Sequence, residues 1–234
     1  MADIFDEAIS KHIIEVRFKS SGSFLDKKGD TADRIVESSN IFKTWNISEF
    51  RIDFSCETNP NIKAFIGFRN FGLISTSPNK TDYFLQNAEN FIKLLWPLLP
   101  NYDFPRVGIR SMFLIKNNDF EAMLAGYKKR FLKLNNDELN GFGDELLDLS
   151  FPMDFKNGQD YFNVLTGPMR KEQFKKYLGE IESESSGIFT DVDFFRKNLH
   201  LDKKQKELLE LLQNGVKKAQ DIANLVSSWV VETE

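Results

Sequence analysis

The sequence predicts an α+β protein: antiparallel sheets with helices packed on one face and a long C-terminal helix. Three observations lead there. Strand-like runs follow one another with only short turns between them, as in "FRIDFSC", "IKAFIGF" and "FGLISTS". Helical periodicity occupies separate stretches, which gathers helices beside a sheet. The C-terminal segment spaces Leu208, Leu212, Gly215, Ala219, Ile222, Val226 and Trp229 by alternating fours and threes, which only a helix brings to one side.

"HIIEVRFKSSG" sets Ile14, Val16 and Phe18 against Glu15, Arg17 and Lys19, the alternation of a half-buried strand. "DTADRIVESSNIFK" predicts a short helix N-capped by Thr31 and carrying Ile35, Ile41 and Phe42. The three strands quoted above come next. Their connections, "ETNPN" and "RN", are short enough for antiparallel hairpins. In "SPNKTDYFLQNAENFIKLLWPLL" the period changes: Phe84, Ala88, Phe91 and Leu95 recur at helical spacing, Thr81 or Asp82 can cap, and Pro97 ends the helix. "RVGIRSMFLIK" (106–116) is a strand. "NDFEAMLAGYKKRFL" is a helix with Phe120, Met123, Leu124, Tyr127 and Phe131 on one side.

Residues 133–146 are polar, rich in Asn and Gly and aperiodic, as a linker is. They suggest an N-terminal α+β domain over 1–132. A second unit over 147–234 is either separate or continuous with it. That unit holds the strands "LDLSFPMDF", "QDYFNVLTG" and "GIFTDVDFF" and the long helix, and "RKEQFKKYLGEI" fits strand or helix equally. No sequence repeat relates the two halves.

The chain has 234 residues, 41% apolar and 28% charged, a globular composition able to bury a core. Its 23 Phe imply a bulky interior without polar handles. The net charge of −4 argues against a dedicated nucleic-acid binder, although local basic patches stay open. Cys56, the one cysteine, rules out an internal disulfide and continues the apolar alternation of Phe50, Ile52 and Phe54. No apolar run approaches the roughly 20 residues that span a bilayer. The start "MADIFDEAISK" is acidic, unlike a signal peptide, so the expected compartment is the cytoplasm.

The sharpest chemical question concerns Arg106 and Arg110. On a strand both guanidiniums leave one face, about 13 Å apart, with Gly108 between them. They are candidate ligands for a phosphate or carboxylate. Asp191 and Asp193 in "GIFTDVDFF" also share a face, and on a neighbouring strand they would neutralise the arginines as ion pairs. Alternatively the two aspartates supply hard oxygens for magnesium in a nuclease or phosphodiesterase, although no recognised nuclease spacing surrounds them. Basic clusters with aromatics at "YKKRFLK" (Lys128, Lys129, Arg130) and "MRKEQFKKY" (Lys175, Lys176) are candidates to track a nucleic acid. In amphipathic elements, however, such lysines simply point outward while the aromatics pack. The C-terminal seam, with Gly215 and Ala219 at its middle, either packs on its own sheet or forms a homodimer interface. No phosphate-binding loop, nucleophile elbow, paired CxxC or HExxH is present, and no cofactor is implied.

"HIIEVRF", "FIGFRNFGLISTS" before "YFLQNAENFIKLL", "PRVGIRSMFLIK" and the late "FTDVDFF" form an ordered set spanning nearly the whole chain. This set resembles a sporadically distributed family of uncharacterised bacterial and archaeal proteins of about this length, defined by a sequence profile. The chain departs from it at Ser111-Met112, where an aromatic is usual after the second arginine. The resemblance implies no activity. It implies the patchy distribution of a defence or toxin–antitoxin accessory. The expected function is therefore a non-enzymatic protein-interaction or sensing module whose partner is another protein, encoded nearby, without membrane attachment.

Overall fold

Alternation in the first strand places Ile14 and Val16 on one side and Lys11, Ile13, Glu15 and Arg17 on the other. That division runs through the whole molecule. The computed structural model describes residues 8–78, 81–99, 102–179, 185–201 and 204–231, so the acidic start at 1–7 lies outside the described residues. The chain runs β1 (Ile9–Arg17), α1 (Gly22–Asp26), α2 (Lys28–Ser38), β2 (Phe42–Ile47), β3 (Arg51–Cys56), β4 (Ile62–Gly67), β5 (Asn70–Pro78) and α3 (Thr81–Leu95). It continues through β6 (Asp103–Lys116), α4 (Phe120–Phe131), α5 (Asn136–Asn140), β7 (Phe151–Asn157), β8 (Asp160–Met169), α6 (Phe174–Leu178), β9 (Gly187–His200) and α7 (Gln205–Val231).

All nine strands join one antiparallel sheet in the order β2-β3-β4-β5-β1-β6-β9-β8-β7. Residues 132 and 147 therefore do not bound separate sheets, because β6 from the first segment pairs along its length with β9 from the second. The intervening stretch is not wholly aperiodic either: Asn135 and Glu138 form a reciprocal capping box on α5.

The topology contains a repeat that the residues do not announce. A strand, a helix, an antiparallel meander and a second helix occur as β1-α2-(β2-β3-β4-β5)-α3 and again as β6-α4-(β7-β8-β9)-α7. The leading strands β1 and β6 lie side by side at the centre, and the meanders run outward in opposite directions. The halves thus share one topology, mirrored in strand order about the β1–β6 pair, with β2 as an extra edge strand.

Helices α2, α3, α4 and α7 cover one face. Phe84, Phe91 and Leu95 of α3 and Leu208, Leu212 and Ala219 of α7 join Ile14, Val16, Ile109, Phe113, Val192 and Phe194 of the sheet in the main core. Phe42, Phe54 and Phe91 meet ring to ring within it, which accounts for part of the phenylalanine content. The short α6 lies on the opposite face, where Phe174 and Leu178 pack on Ile9, Met112, Leu114 and Phe189.

Several local expectations change. Helix α2 starts at Lys28, so Thr31 sits inside it instead of capping it. The helix ends at Ser38 because the Ser39 hydroxyl accepts from the backbone N–H groups of Ile41 and Phe42, a local alternative to the helical bond. Phe42 consequently begins β2, a strand the helical reading had absorbed. "RKEQFKKYLGEI" is a 3-10 turn followed by α6, closed by Gly179 at φ +85°, and 180–184 lie outside the described residues. Cys56 is buried, 3.3 Å from the Thr58 hydroxyl.

The α7 seam faces this chain's own sheet. Leu208, Leu212, Gly215, Ala219 and Val226 are buried. A Cβ on Gly215 would lie 2.5 Å from both Ile109 and Phe194, so the glycine brings the helix backbone down onto β6 and β9. Trp229 packs edge-on against Phe131 of α4. The seam that suggested a homodimer interface is therefore occupied internally, because its apolar stripe is wide enough to need the sheet.

Candidate functional site: the open face of the sheet

The side of the sheet away from α2, α3, α4 and α7 carries the strand positions that alternation assigns outward. Beyond the end covered by α6, this face presents charged groups from β1, β3, β4, β6, β7 and β9. Register places Asn70, Arg17, Arg106 and Lys197 in one transverse row on β5, β1, β6 and β9. Arg51 on β3 extends the row through Gly67. The next row inward holds Asp53, Phe65, Gly72, Glu15, Gly108, Phe195, Tyr161 and Lys156.

Acids in and behind this second row hold the arginines of the first. Arg51 Nε donates to Asp53 (2.6 Å), and Arg17 to Glu15 (2.8 Å). Arg106 reaches diagonally across Gly108, donating to both oxygens of Asp193 (2.8 and 2.7 Å) and lying 3.4 Å from Glu15. Asn70 donates to the other Glu15 oxygen at 3.0 Å. Burial pushes the Glu15 carboxyl up, but hydrogen bonds from Arg17 and Asn70 and the charges of Arg17 and Arg106 outweigh it, leaving the pKa lowered. At Asp193 burial wins, and the pKa rises despite Arg106 and Arg110.

Aromatic rings lie beneath the cations. Arg51 sits 4.0 Å over Phe65, Arg106 4.5 Å over Phe195, and Lys197 4.8 Å from the Tyr161 centroid. Tyr161 stacks on Phe195 at 5.2 Å, and Lys156 approaches the same tyrosine at 5.4 Å. Gly108 lets the two strands pack closely here, since a Cβ would meet Phe195 Cβ at a tight 3.1 Å.

Nearer α6, Arg110 donates through Nε and Nη2 to Asp191, whose side chain is only 6% exposed. That hydrogen bond raises the arginine's pKa. Lys11 donates to the Tyr177 carbonyl of α6 at 3.2 Å, and burial followed by repulsion from Arg110 lowers its pKa.

The two arginines are thus each held by one of the two aspartates through β6–β9 pairing. Each guanidinium reaches diagonally, since Arg110 lies directly opposite Asp193 and Met112 opposite Asp191. Both carboxylates that could have offered oxygens to magnesium are engaged in these pairs. Among the described residues no group of three or more His, Cys, Asp or Glu could hold a metal ion.

The two basic clusters do not form one surface. Lys128, Lys129 and Arg130 end α4 on the helical face, where Arg130 lies 5.5 Å from Trp229. Lys175 and Lys176 ride on α6 across the sheet. The richer concentration of cations is one the sequence scatters. With Lys63 and Lys116, the described strand positions of the open face carry nine basic side chains, and with Asp154, five acidic ones. This face is net positive in a chain whose total is −4. Arg17, Arg51, Lys156 and Lys197 give no cluster in the sequence. Only their shared strand parity could have marked them, and parity does not say which strands are neighbours.

No helix among the described residues is long and apolar enough to cross a membrane. No protein-family model matches the chain, and no curated protein matches it in sequence.

Proposed function

We propose that the protein is a non-enzymatic interaction module that holds a polyanionic partner on the open face of its sheet. The observation that carries this reading is the segregation of charge: nine basic against five acidic side chains at the described strand positions on one face of an acidic chain. Four of those acids, Glu15, Asp53, Asp191 and Asp193, are bonded to arginines and so orient cations instead of offering a reactive site. A cation fixed by a carboxylate and an aromatic ring loses little conformational freedom on binding, which favours affinity. The test is retention on a polyanionic matrix. The protein should bind at low salt, elute as salt rises, and be retained less after Lys197→Glu with Lys156→Glu. Passage straight through the column at low salt would refute the reading.

A second reading, a protein partner, rests on Phe142. This residue is 87% exposed in a groove lined by Leu124, Leu132, Leu134 and Leu139 and edged by three acids, Glu121, Asp144 and Glu145, against one base, Lys128. An apolar groove with an acidic rim suits a basic amphipathic segment of a partner, with Phe142 as an anchor. The place of such a module as a defence or toxin–antitoxin accessory is supported by the family resemblance alone. The genes flanking this one test it.

A further inference from the structure

We infer that the occupant of the open face is a single-stranded nucleic acid, lying along the transverse row formed by Arg17, Arg106 and Lys197. This rests on the polyanion reading above and names its ligand. Three features carry it.

The first is what the face lacks among the described residues. Apart from Pro152 on the edge strand β7, its exposed strand positions are polar or charged, whereas the exposed large hydrophobics Trp45, Leu134, Phe142, Leu147, Phe155 and Leu225 lie elsewhere and Phe50 sits in the turn next to Arg51. A protein partner needs apolar or aromatic anchors at the centre of its footprint. Nucleic-acid interfaces are more polar and far more positive.

The second feature is that the cations form one line. Arg17, Arg106 and Lys197 sit on adjacent strands, about 4.8 Å apart, and Arg51 prolongs the line on β3. The row behind it places Asp53 and Glu15 about two residues inward, and the row after that balances Lys63 and Arg110 with Asp193 and Asp154. A duplex would bring its second phosphate line over those acids. A single strand needs only the cation row itself, whose arginines those acids orient and whose Lys197 has no carboxylate partner among the described residues.

The third is the half-buried Tyr161 at one end of that line. It is flanked by Lys156 and Lys197, neither of which has a carboxylate partner among the described residues. A ring beside unneutralised cations is the pairing that single-strand binders use to stack a base while holding its phosphate.

The experiment is fluorescence anisotropy on the full chain with a labelled mixed-sequence single-stranded RNA and DNA. The same duplexed oligonucleotides and a labelled poly-glutamate serve as competing arms, across a salt series. The variants are Arg17→Glu, Lys156→Glu and Lys197→Glu, singly and together, with Lys129→Glu on the far side of the molecule as a charge-matched control. All four side chains are exposed, and thermal melts verify folding. Single strands should bind best, the combined open-face variant should lose roughly tenfold or more, and each lost phosphate contact should lower the salt slope by about 0.7. Lys129→Glu should change little. Preferential binding of poly-glutamate, abolished by the same variants, would overturn the nucleic-acid assignment and leave the polyanion reading standing. Tighter duplex binding would overturn the single-strand assignment. Binding weakened by Lys129→Glu but not by the open-face variants would overturn the location. Binding to none of the probes would overturn this inference and the polyanion reading together.

Discussion

At His12 the imidazole stacks 4.8 Å from Phe84, sits edge-on to Phe113 and shares a hydrogen bond between Nδ1 and the Ser111 hydroxyl at 2.9 Å. It is 2% exposed, and Nε2 meets no hydrogen-bond partner among the described residues. Burial lowers its pKa from 6.5 to about 4, so the folded protein holds it neutral while the unfolded chain protonates. The resulting stability is fully present above pH 6.5 and is lost as pH falls towards 4, by about 3 kcal/mol. Denaturant unfolding at stepped pH should show that descent, and His12→Gln should flatten it. Glu15 acts in a different window: its lowered pKa contributes stability that disappears only as pH falls below 4.5. The Arg106–Asp193 pair gives a second test at this scale. Both side chains are about four-fifths buried or somewhat less, at 20% and 25% exposure, and are joined by two hydrogen bonds. A double-mutant cycle with Arg106→Ala and Asp193→Ala should return a coupling of about 1–3 kcal/mol. A coupling near zero would show that the pair is cosmetic. The sequence exposed the candidates here, Arg106, Arg110, Asp191 and Asp193, and even the possibility that they neutralise one another. It could not give the diagonal matching, which depends on a register set by the full lengths of β6 and β9.

Among the elements, α7 was the most legible, because a long apolar stripe at helical spacing has one structural meaning. What the stripe faces was not legible, since a sheet and a second helix bury the same side chains. Contact with Ile109 and Phe194 decides it. Gly215→Ala should therefore destabilise by about 1–2 kcal/mol in chemical denaturation, because overpacking exceeds the helix propensity that alanine gains. Ala219→Glu should unfold the protein instead of dissociating a dimer, as its side chain is 1% exposed in the core. Circular dichroism and sedimentation of that variant distinguish the two outcomes. The misplaced boundary of α2 has the opposite origin. Ile41 and Phe42 fitted a helical stripe, but a single serine hydroxyl redirected their backbone, and its two hydrogen bonds outweigh weak propensity at a helix end.

For the whole molecule, the decisive fact is that the central strands β1 and β6 lie side by side and β6 is completed by β9. Residues 1–132 expressed alone would leave the length of β6 as an open hydrophobic edge, and aggregation or the lack of a cooperative melt is expected. The intact chain should unfold in one calorimetric transition. Two separate transitions would instead indicate halves that fold independently. By itself the sequence determined the α+β class, most of the strands and helices that carry the core, though not β2 or α6, and which side of those strands faces it, because side-chain periodicity is a local property of the backbone. Only the tertiary structure decided the strand order, the repeated topology and the gathering of Arg17, Arg106 and Lys197 into one row. Those depend on which distant segments pair, a choice made by the packing of both sheet faces at once and written in no single stretch of chain.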